Sequence, residues 1–397
     1  MKFNRNVIII GGGPAGMMAA IACKQFYPKS TVVLIERNDC LGKKLRLTGG
    51  GRCNLTANVN QHEIIKNTPH HGKFLFSALN QFSTQDIQQF FITRGCLLKE
   101  EDHQRIFPVS DQAQDVIDVL KRELEKLQVE IQLNCLVEAI DYSSKSLLSS
   151  CGKWTYDHLI FATGGKSYAV TGSDGTAFEL IKASNHTITP LFPAEVPLVS
   201  HDAIIQSKSL QGLSFKDCMI QAYVNEKKTS QVCHDLIITH FGISGPAALQ
   251  TSSFLTQALK EHQTIKLVID FCPDITYEQL KDEMQNLTFE QCMLNHRIPR
   301  RLIQVIQNTP ELNQNPILSI KQFPLNIHGC RGFSSAFVTS GGVQIAEISP
   351  KTMKSKLLSS LSFCGEALDI NSLTGGYNMS VAFTTGFCAG KHACSNE

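Results

Sequence analysis

The chain has 397 residues, which is long enough for two or three domains with well-buried cores. Hydrophobic residues make up 42% of it and charged residues 18%, a composition that excludes an intrinsically disordered protein. The formal net charge of +2 argues against a general attraction to nucleic acid or anionic membranes. No apolar run reaches the length of a membrane span, and glycines interrupt the N-terminal run too early for a signal peptide. We therefore expect a soluble, cytoplasmic protein.

The N-terminal segment has the pattern of a strand, a glycine turn and a helix. Val7–Ile10 are all β-branched and apolar, which is typical of a strand buried on both faces. The following GGGPAG places Gly11, Gly13 and Gly16 in G-x-G-x-x-G spacing, and a run of small residues continues as a helix. These glycines permit a tight turn, close approach of the backbone to a pyrophosphate, and close packing of helix on strand. The N–H groups at the helix N-terminus would then bind the phosphates.

An acidic residue follows at the spacing that this motif requires. Residues 31–35 predict a second buried strand, and Glu36 stands at its end, about twenty residues beyond the last glycine. Its carboxylate can accept hydrogen bonds from ribose hydroxyls and would repel a 2′-phosphate. A glycine motif alone is often an ordinary turn, but both strands, the helix and the spaced acid together predict dinucleotide binding.

A basic, glycine-rich stretch follows at residues 42–54 and includes GGGRCN. Three consecutive glycines allow several backbone N–H groups to converge on one point, and Lys44 and Arg52 add positive charge. We interpret the stretch as a second wall around a phosphate-bearing ligand rather than a mobile loop, because Asn54 and Thr56 are polar where a linker needs no such side chains. Cys53 is interpreted as a small residue in a tight loop rather than a redox centre.

The next elements are predicted as scaffold. Helices are expected from Ser83 to Gly95 and at about 111–127. A strand at 129–137, a meander at 141–157 and a strand at 158–162 follow. The last of these ends at Thr163 and Gly164, and such turns line the ligand crevice of a parallel sheet.

A cluster of prolines after residue 187 predicts a domain boundary. Beyond it, strand-like composition occurs at 213–224, 232–239, 264–270 and 337–346, while helix signals are weak until Thr276. Thr276 and Thr288 each begin a capping box, and Pro299 is suited to the first turn of a further helix. We predict that residues 1–190 and 338–397 form one discontinuous domain. Residues 191–337 would form an inserted β domain with a small helical cap at about 274–316.

The C-terminal segment has the same kind of pattern as the N-terminus, a strand followed by a glycine turn and later a helix. Residues 361–363 read as a strand that ends at Gly365, with Glu366 and Asp369 close behind. The sequence TGGYN then precedes a run at 379–389 that predicts a helix, whose N-terminus would point its positive dipole end toward the crevice.

These motifs together resemble one known family. GGGPAG, GKKLRLTGGGRCN, ATGG, THFGISGPA, TMKSK and CGEALDINSLTGGYN are similar, in the same order and nearly end to end, to the bacterial FAD-dependent flavoproteins that include aminoacetone oxidase and a bile-acid reductase of gut bacteria. The resemblance implies an α/β fold, with a Rossmann-type FAD-binding domain of the glutathione-reductase type, an inserted β-barrel domain and a small helical subdomain.

The resemblance also implies a set of FAD-binding residues in this chain. They are Gly11, Gly13, Ala15 and Gly16 at the pyrophosphate; Glu36 at the adenosine ribose; Arg37, Lys44, Arg52, Cys53 and Asn54 bordering the FAD; Val137 at the adenine through its backbone; Thr163, Gly164, Gly365, Glu366 and Asp369 around the ribityl and phosphate groups; and Gly376, Tyr377, Asn378 and Met379 at the isoalloxazine.

The function expected from these features is an FAD-dependent oxidoreductase that passes hydride from NAD(P)H through FAD to a small-molecule acceptor. Three alternatives stay open. The first is an amine oxidase of the aminoacetone type that uses O₂, and the second is a flavoprotein that binds FAD structurally without turnover. The third is an RNA-modifying flavoprotein, for which the basic residues Arg297, Arg300 and Arg301 are the candidate contacts. His240 is either a proton donor or a structural residue, so no catalytic residue is assigned. The 14 cysteines are scattered without a Cys-x-x-Cys pair, which predicts no metal site.

Overall fold

The structure, a computed structural model, describes residues 5–395. It divides into two compact units. The parallel-sheet unit comprises Met1–Leu191 and Val338–Glu397, and the inserted unit comprises Phe192–Phe337. Each unit has its own hydrophobic core. Within the described residues, none of the helices combines the length and the apolar character that a membrane span requires.

The first part of the parallel-sheet unit alternates strands and helices. Its strands are β1 (Asn6–Ile10), β2 (Thr31–Ile35), β3 (Thr56–Ala57), β4 (Leu98–Glu101), β5 (Arg105–Pro108), β6 (Glu130–Gln132), β7 (Val137–Asp141), β8 (Ser146–Ser149), β9 (Gly152–Thr155) and β10 (His158–Phe161). Its helices are α1 (Pro14–Phe26), α2 (Gln61–Lys66), α3 (Phe76–Leu79), α4 (Thr84–Ile92), α5 (Ala113–Lys126) and α6 (Ala177–Lys182).

The inserted unit follows, and the chain then returns to the first unit. The strands of the inserted unit are β11 (Phe192–Ala194), β12 (Leu198–Val199), β13 (Ser214–Val224), β14 (Lys227–Ile238), β15 (Gly242–Ser244), β16 (Ile265–Asp270), β17 (Phe323–Ile327) and β18 (Gly329–Cys330). Its helices are α7 (Ala203–Gln206), α8 (Pro246–Lys260), α9 (Tyr277–Glu283), α10 (Phe289–Asn295), α11 (Arg300–Asn308), α12 (Pro310–Asn313) and α13 (Pro316–Lys321). The returning segment forms β19 (Val338–Ser340), β20 (Leu361–Phe363) and α14 (Tyr377–His392).

A five-stranded parallel sheet forms the centre of the first unit, in the order β20-β10-β1-β2-β6. The apolar residues of β1 are buried, as a strand covered on both faces requires. Because all five strands are parallel, the turns that follow β1, β2, β10 and β20 lie along one edge of the sheet. Helix α14 packs against α1.

One predicted strand of this unit is wrong in extent. Instead of one strand at 129–137, the structure has β6 and then a turn before β7. The turn includes Asn134 in the left-handed region (φ 53°), and its N–H donates to the carbonyl oxygen of Asn38 at 2.8 Å. The backbone after β6 is therefore bonded to the loop after β2, and the chain leaves the parallel sheet to form the β7-β8-β9 meander. The helix starting after Ser83 is confirmed, with the capping box completed by Asp86.

The inserted unit is built on an antiparallel sheet in the order β17-β16-β13-β14-β15-β12-β18. Only His328 separates β17 from β18, and its N–H donates to the carbonyl oxygen of Val199 in β12 at 2.9 Å. One stretch of chain thus borders both ends of the sheet and closes it into a barrel. Alternate residues of its strands, such as Leu267 and Ile269, are buried inside.

The helices of the inserted unit were predicted in part. The capping boxes at Thr276 and Thr288 are confirmed at the starts of α9 and α10. The expectation of weak helix content before Thr276 is wrong, because α8 is a 15-residue helix. Buried serine and threonine residues interrupt the apolar periodicity that would have predicted this helix. They are tolerated there because their hydroxyls can bond to the helix backbone, as Thr251 does by donating to the carbonyl oxygen of Ala247 at 2.7 Å. The strand predicted at 337–346 is likewise too long, since only β19 forms there.

Candidate cofactor-binding site

The glycine turn joins β1 to α1 and leaves a space at the start of the helix. A Cβ added to Gly16 would lie 1.9 Å from the carbonyl oxygen of Gly11, so only glycine allows this close packing of helix on turn. A Cβ added to Gly13 would meet nothing within 4 Å. Gly13 is the N-cap of α1, Pro14 occupies the first helical position, and no side chain caps the helix. The N–H groups at the start of α1 therefore have no side-chain cap, and the space beside Gly13 is open, which is the arrangement that a phosphate needs.

Glu36 is fixed beside this turn. Its Oε2 accepts from the Gly12 N–H at 2.6 Å, and its Oε1 accepts from the backbone N–H and the side-chain amide of Asn38 at 2.8 and 2.6 Å. These three bonds orient a carboxylate that is 8% exposed and leave it about one further acceptor position. The prediction from sequence did not include Asn38, although a short amide residue just after a strand end is a recognisable polar anchor.

The turn after β10 carries a polar atom with no bonding partner. Among the described residues, the hydroxyl of Thr163 is buried and has no hydrogen bond. A buried hydroxyl in this state points to a group or a water that would complete it. Asn371, in the loop before α14, is also fully buried, and both atoms of its amide lack partners among the described residues. The prediction from sequence did not include this asparagine, although it lies within the motif CGEALDINSLTGGYN.

Lys44 is paired with an acid instead of presenting a free charge. Its Nζ lies 2.7 Å from Glu366 Oε2 and 2.8 Å from Ser167 Oγ. Glu366 Oε1 also accepts from the Thr339 N–H at 2.8 Å. Burial acts to raise the pKa of Glu366, but the Lys44 charge and these hydrogen bonds outweigh it and hold that pKa below its ordinary value. The loop after β2 is thereby tied to the turn after β20.

Arg52 is also paired. Its guanidinium contacts Glu101, its Nε lies 2.8 Å from Asp111 Oδ1, and it sits over the ring of Phe107 at 4.3 Å. Arg37 makes a similar bond to Asp174, at 2.8 Å. Local carboxylates therefore pair with both arginines, and the prediction that these residues border the FAD stays a prediction.

The GGGRCN and TGGYN motifs lie side by side. With its amide oriented to satisfy both partners, Asn54 donates to the carbonyl oxygen of Thr56 at 3.1 Å and accepts from the Gly376 N–H at 3.0 Å. Gly376 has a φ of 95°, and a Cβ there would lie 2.4 Å from the Thr56 carbonyl. Cys53 is fully buried in the same loop. Burial raises the pKa of its thiol to about 12, so it stays protonated at neutral pH.

The remaining predicted residues occupy the same unit. Ala15 and Met379 lie in the first turns of α1 and α14. Asn378 uses its amide to bond both backbone groups of Ser372, at 2.9 and 2.6 Å. Asp369 is 3.5 Å from His71. Further predicted residues follow strands or begin elements, namely Gly164 after β10, Gly365 after β20, Tyr377 at the start of α14 and Val137 at the start of β7.

The chemistry of these groups fits FAD. The uncapped start of α1, with open space at Gly13, suits a pyrophosphate, and the oriented Glu36 carboxylate suits a ribose. The Thr163 hydroxyl has no hydrogen-bond partner among the described residues and can bond a ligand. His240 lies in the other unit, where it is exposed and its ring contacts Phe241 at 5.1 Å between centroids. Its proposed role as a proton donor stays a prediction.

Residues 5–392 match the model of the family described as HI0933-like protein Rossmann domain. The chain belongs to the HI0933-like family. This HI0933-like protein is 31% identical to 3-dehydro-bile acid delta(4,6)-reductase of Clostridium scindens, over 97% of this chain and 98% of that protein. It is 28% identical to the ribosomal RNA dihydrouridine synthase of Escherichia coli, over 97% of each chain.

The fold of the HI0933-like protein also matches solved structures. The 3-ketosteroid delta1-dehydrogenase from Sterolibacterium denitrificans, solved in complex with 1,4-androstadiene-3,17-dione, aligns with a TM-score of 0.54 at 11% identity, covering 99% of this chain and 100% of that one. The predicted Rossmann-type fold and the predicted family are confirmed. The HI0933-like protein is an FAD-dependent oxidoreductase.

Proposed function

We propose that this protein is an NAD(P)H-dependent reductase that transfers hydride through FAD to an activated carbon–carbon double bond of a small molecule. The observation that carries the proposal is the turn after β1, where the uncapped start of α1 and the open space at Gly13 adjoin the oriented carboxylate of Glu36. The double bond as acceptor is supported by the C. scindens relative, which is named as a reductase and aligns over nearly the whole of both chains.

Different residues of the parallel-sheet unit would bind different parts of the cofactor. The N–H groups at the start of α1 would bind the pyrophosphate, and Glu36 would accept from ribose hydroxyls. Thr163 would use its free hydroxyl on the ribityl and phosphate region. FAD, when bound, supplies a ring nitrogen that can accept and donate hydride. The N-terminus of α14, within TGGYN, would stabilise negative charge on the reduced ring by about 0.3 to 2 kcal/mol.

The electron donor is proposed from the sequence. The chain contains one full dinucleotide fingerprint, at Gly11–Gly16, and FAD would occupy it. A nicotinamide would therefore bind only transiently, over the flavin, without a dinucleotide-binding domain of its own.

The test is the anaerobic visible spectrum of the purified protein, followed by release and identification of its flavin. We expect an FAD spectrum that is bleached by NADH or NADPH and restored by an α,β-unsaturated ketone. Bleaching by aminoacetone alone, with peroxide formed on admission of O₂, would instead establish the amine oxidase. A colourless protein that takes up no FAD would refute the proposal altogether.

A second candidate, an RNA-modifying reductase, is favoured by the E. coli relative named ribosomal RNA dihydrouridine synthase. Three arginines lie at the start of α11 and just before it. Arg300 is exposed, and Arg301 donates to the carbonyl oxygen of Gln211 at 2.7 Å. If RNA is the acceptor, ribosomal RNA should reoxidise the reduced protein. Replacing Arg297 and Arg300 together with glutamine should then weaken RNA binding and lower its salt dependence. Reoxidation by small enones only would exclude this candidate.

A further inference from the structure

Three side chains with metal-binding atoms converge in the inserted unit. Glu283 is the last residue of α9, Cys292 lies in α10, and His296 directly follows α10. Glu283 Oε2 lies 2.8 Å from His296 Nε2 and 3.4 Å from Cys292 Sγ. All three ligand atoms lie within 4.8 Å of one another. No motif in the sequence signalled this group, because its members come from two helices.

The local sequence holds the three residues in place. Cys292 and His296 are four residues apart, and the N–H of His296, at the C-cap of α10, donates to the carbonyl oxygen of Cys292. The two side chains therefore leave the chain about one helical turn apart on the same side. The capping boxes at Thr276 and Thr288 fix where α9 and α10 begin. Cys292 is fully buried, which limits the movement of its sulfur. The group is therefore anchored by helices rather than by mobile loops.

We propose that Glu283, Cys292 and His296 bind a zinc ion. Thiolate, imidazole and carboxylate are the side chains that zinc takes, at about 2.3, 2.0 to 2.1 and 2.0 to 2.2 Å. Atoms at these distances around a tetrahedral ion lie about 3.3 to 3.7 Å apart, so the Glu283–His296 contact need only open slightly. The side chains of Glu283 and His296 are 36% and 25% exposed, which admits water as the fourth ligand.

The binding step balances simply. Zinc displaces the proton from the Cys292 thiol, which passes to solvent, and the sulfur–metal bond replaces the contact between Cys292 and Glu283. The Glu283 carboxylate accepts a hydrogen bond from His296 Nε2–H, so that hydrogen must leave Nε2 when the bond breaks. A neutral imidazole moves it to Nδ1 through solvent, and an imidazolium releases it to solvent, so that Nε2 and the Glu283 carboxylate both have an electron pair for the ion. The metal then joins α9 to α10. A plain ion pair between Glu283 and His296 would explain the contact of those two residues, but it would require no buried thiol beside them.

The experiment uses the full-length, flavin-containing protein and cobalt(II) as the probe. We expect one equivalent of cobalt to give the intense ligand-field bands of a tetrahedral thiolate site, at wavelengths beyond the flavin absorption, and zinc to displace it. Cys292→Ser should abolish these bands and weaken cobalt binding by at least about tenfold. Cys233→Ser is the matched control, because Cys233 is an exposed thiol of the same unit, and it should leave the bands unchanged.

His296→Gln serves as a second variant, because His296 lies partly exposed at a helix end and its loss should not unfold the unit. It too should remove the tetrahedral bands. Weak, octahedral-type absorption in the wild type would overturn the proposal. Bands that persist at full affinity in Cys292→Ser, or in His296→Gln if the first variant does not fold, would overturn it equally.

Discussion

Two polar regions of this protein, one in each unit, are completed in different ways. In the parallel-sheet unit, at the edge that carries the turns after β1 and β10, the start of α1 has no side-chain cap and the space at Gly13 is open. The Thr163 hydroxyl there has no partner among the described residues. In the inserted unit, the sheet closes on itself, and a nearly buried lysine is fully satisfied. Lys321 Nζ lies 2.7 Å from Asp270 and also donates to the carbonyl oxygens of Cys272 and Ile275. The first arrangement needs a ligand for completion, whereas the second completes itself.

The largest effect on stability and FAD content should come from adding a side chain at the tight contact between α1 and the glycine turn. In Gly16→Val, the new side chain would collide with the Gly11 carbonyl oxygen, which lies 1.9 Å from its Cβ. We expect the free energy of unfolding to fall by about 3 kcal/mol or more and FAD to be lost. Denaturant titration and flavin content of the purified protein measure both.

Gly13→Val is the matched control for that variant. Its Cβ meets nothing within 4 Å, so the protein should fold with ordinary stability once the FAD-free forms are compared, yet retain no flavin. A Gly13→Val protein that purifies yellow with full FAD content would contradict the assignment of this turn to the phosphates.

A core substitution in the inserted unit should lower the stability of the protein without changing its FAD content, the reverse of what we expect for Gly13→Val. Leu267 in β16 is fully buried in the barrel core, and Leu267→Ala should cost about 2 to 5 kcal/mol of the free energy of unfolding. FAD content should not change, because the residues that we propose to bind FAD all lie in the other unit. Loss of FAD from a folded Leu267→Ala protein would show that the two units are not independent in this respect.

Glu36→Ala tests the carboxylate that we propose to bind the ribose, and its effect on FAD binding should be smaller than that of the glycine variants. It removes charge-assisted hydrogen bonds worth about 1.5 to 3 kcal/mol, so the dissociation constant of FAD should rise about 10- to 100-fold. Quenching of FAD fluorescence by the apoprotein gives this constant. Glu36→Gln keeps the size of the side chain but turns an amide toward the donors at Gly12 and Asn38, and should fall between the wild type and alanine. An unchanged affinity for FAD in Glu36→Ala would show that Glu36 does not bind the ribose.

The smallest effect is the contribution of the Lys44–Glu366 pair to the free energy of unfolding, which depends on pH. Because the folded protein holds the pKa of Glu366 below its ordinary value of 4.5, the pair stabilises the fold at neutral pH. This contribution is fully present above that value and is lost as the pH falls through the lower, folded pKa. The stability difference between the wild type and Lys44→Met should therefore shrink in acid. Lys43→Met is the control, since Lys43 is more exposed and lies 3.8 Å from Asp39. A difference that grows on acidification would contradict the pairing.

What could be predicted from the sequence depends on how far apart the interacting residues lie. The Rossmann-type fold and the family followed from the spacing between Gly11 and Glu36 and from the motifs along the chain. The role of Lys44 could not be anticipated, because its partner Glu366 is 322 positions away. Helix α8 was missed because serine and threonine residues occupy its buried side. The convergence of Glu283 with Cys292 and His296 likewise depends on how two helices pack.

The split of the central sheet has a consequence for how the protein is made. Strand β10 is the partner of β20, and 203 positions separate Phe161 from Cys364 at their ends. At about 5 to 20 residues per second, a ribosome needs roughly 10 to 40 s to cover that distance. During this interval one edge of the sheet has no neighbour, while the intervening 146-residue segment, with its own core, can already fold. If CGEAL and TGGYN help to hold FAD, as proposed, the complete cofactor site can form only when these last segments emerge, at the end of synthesis or after it.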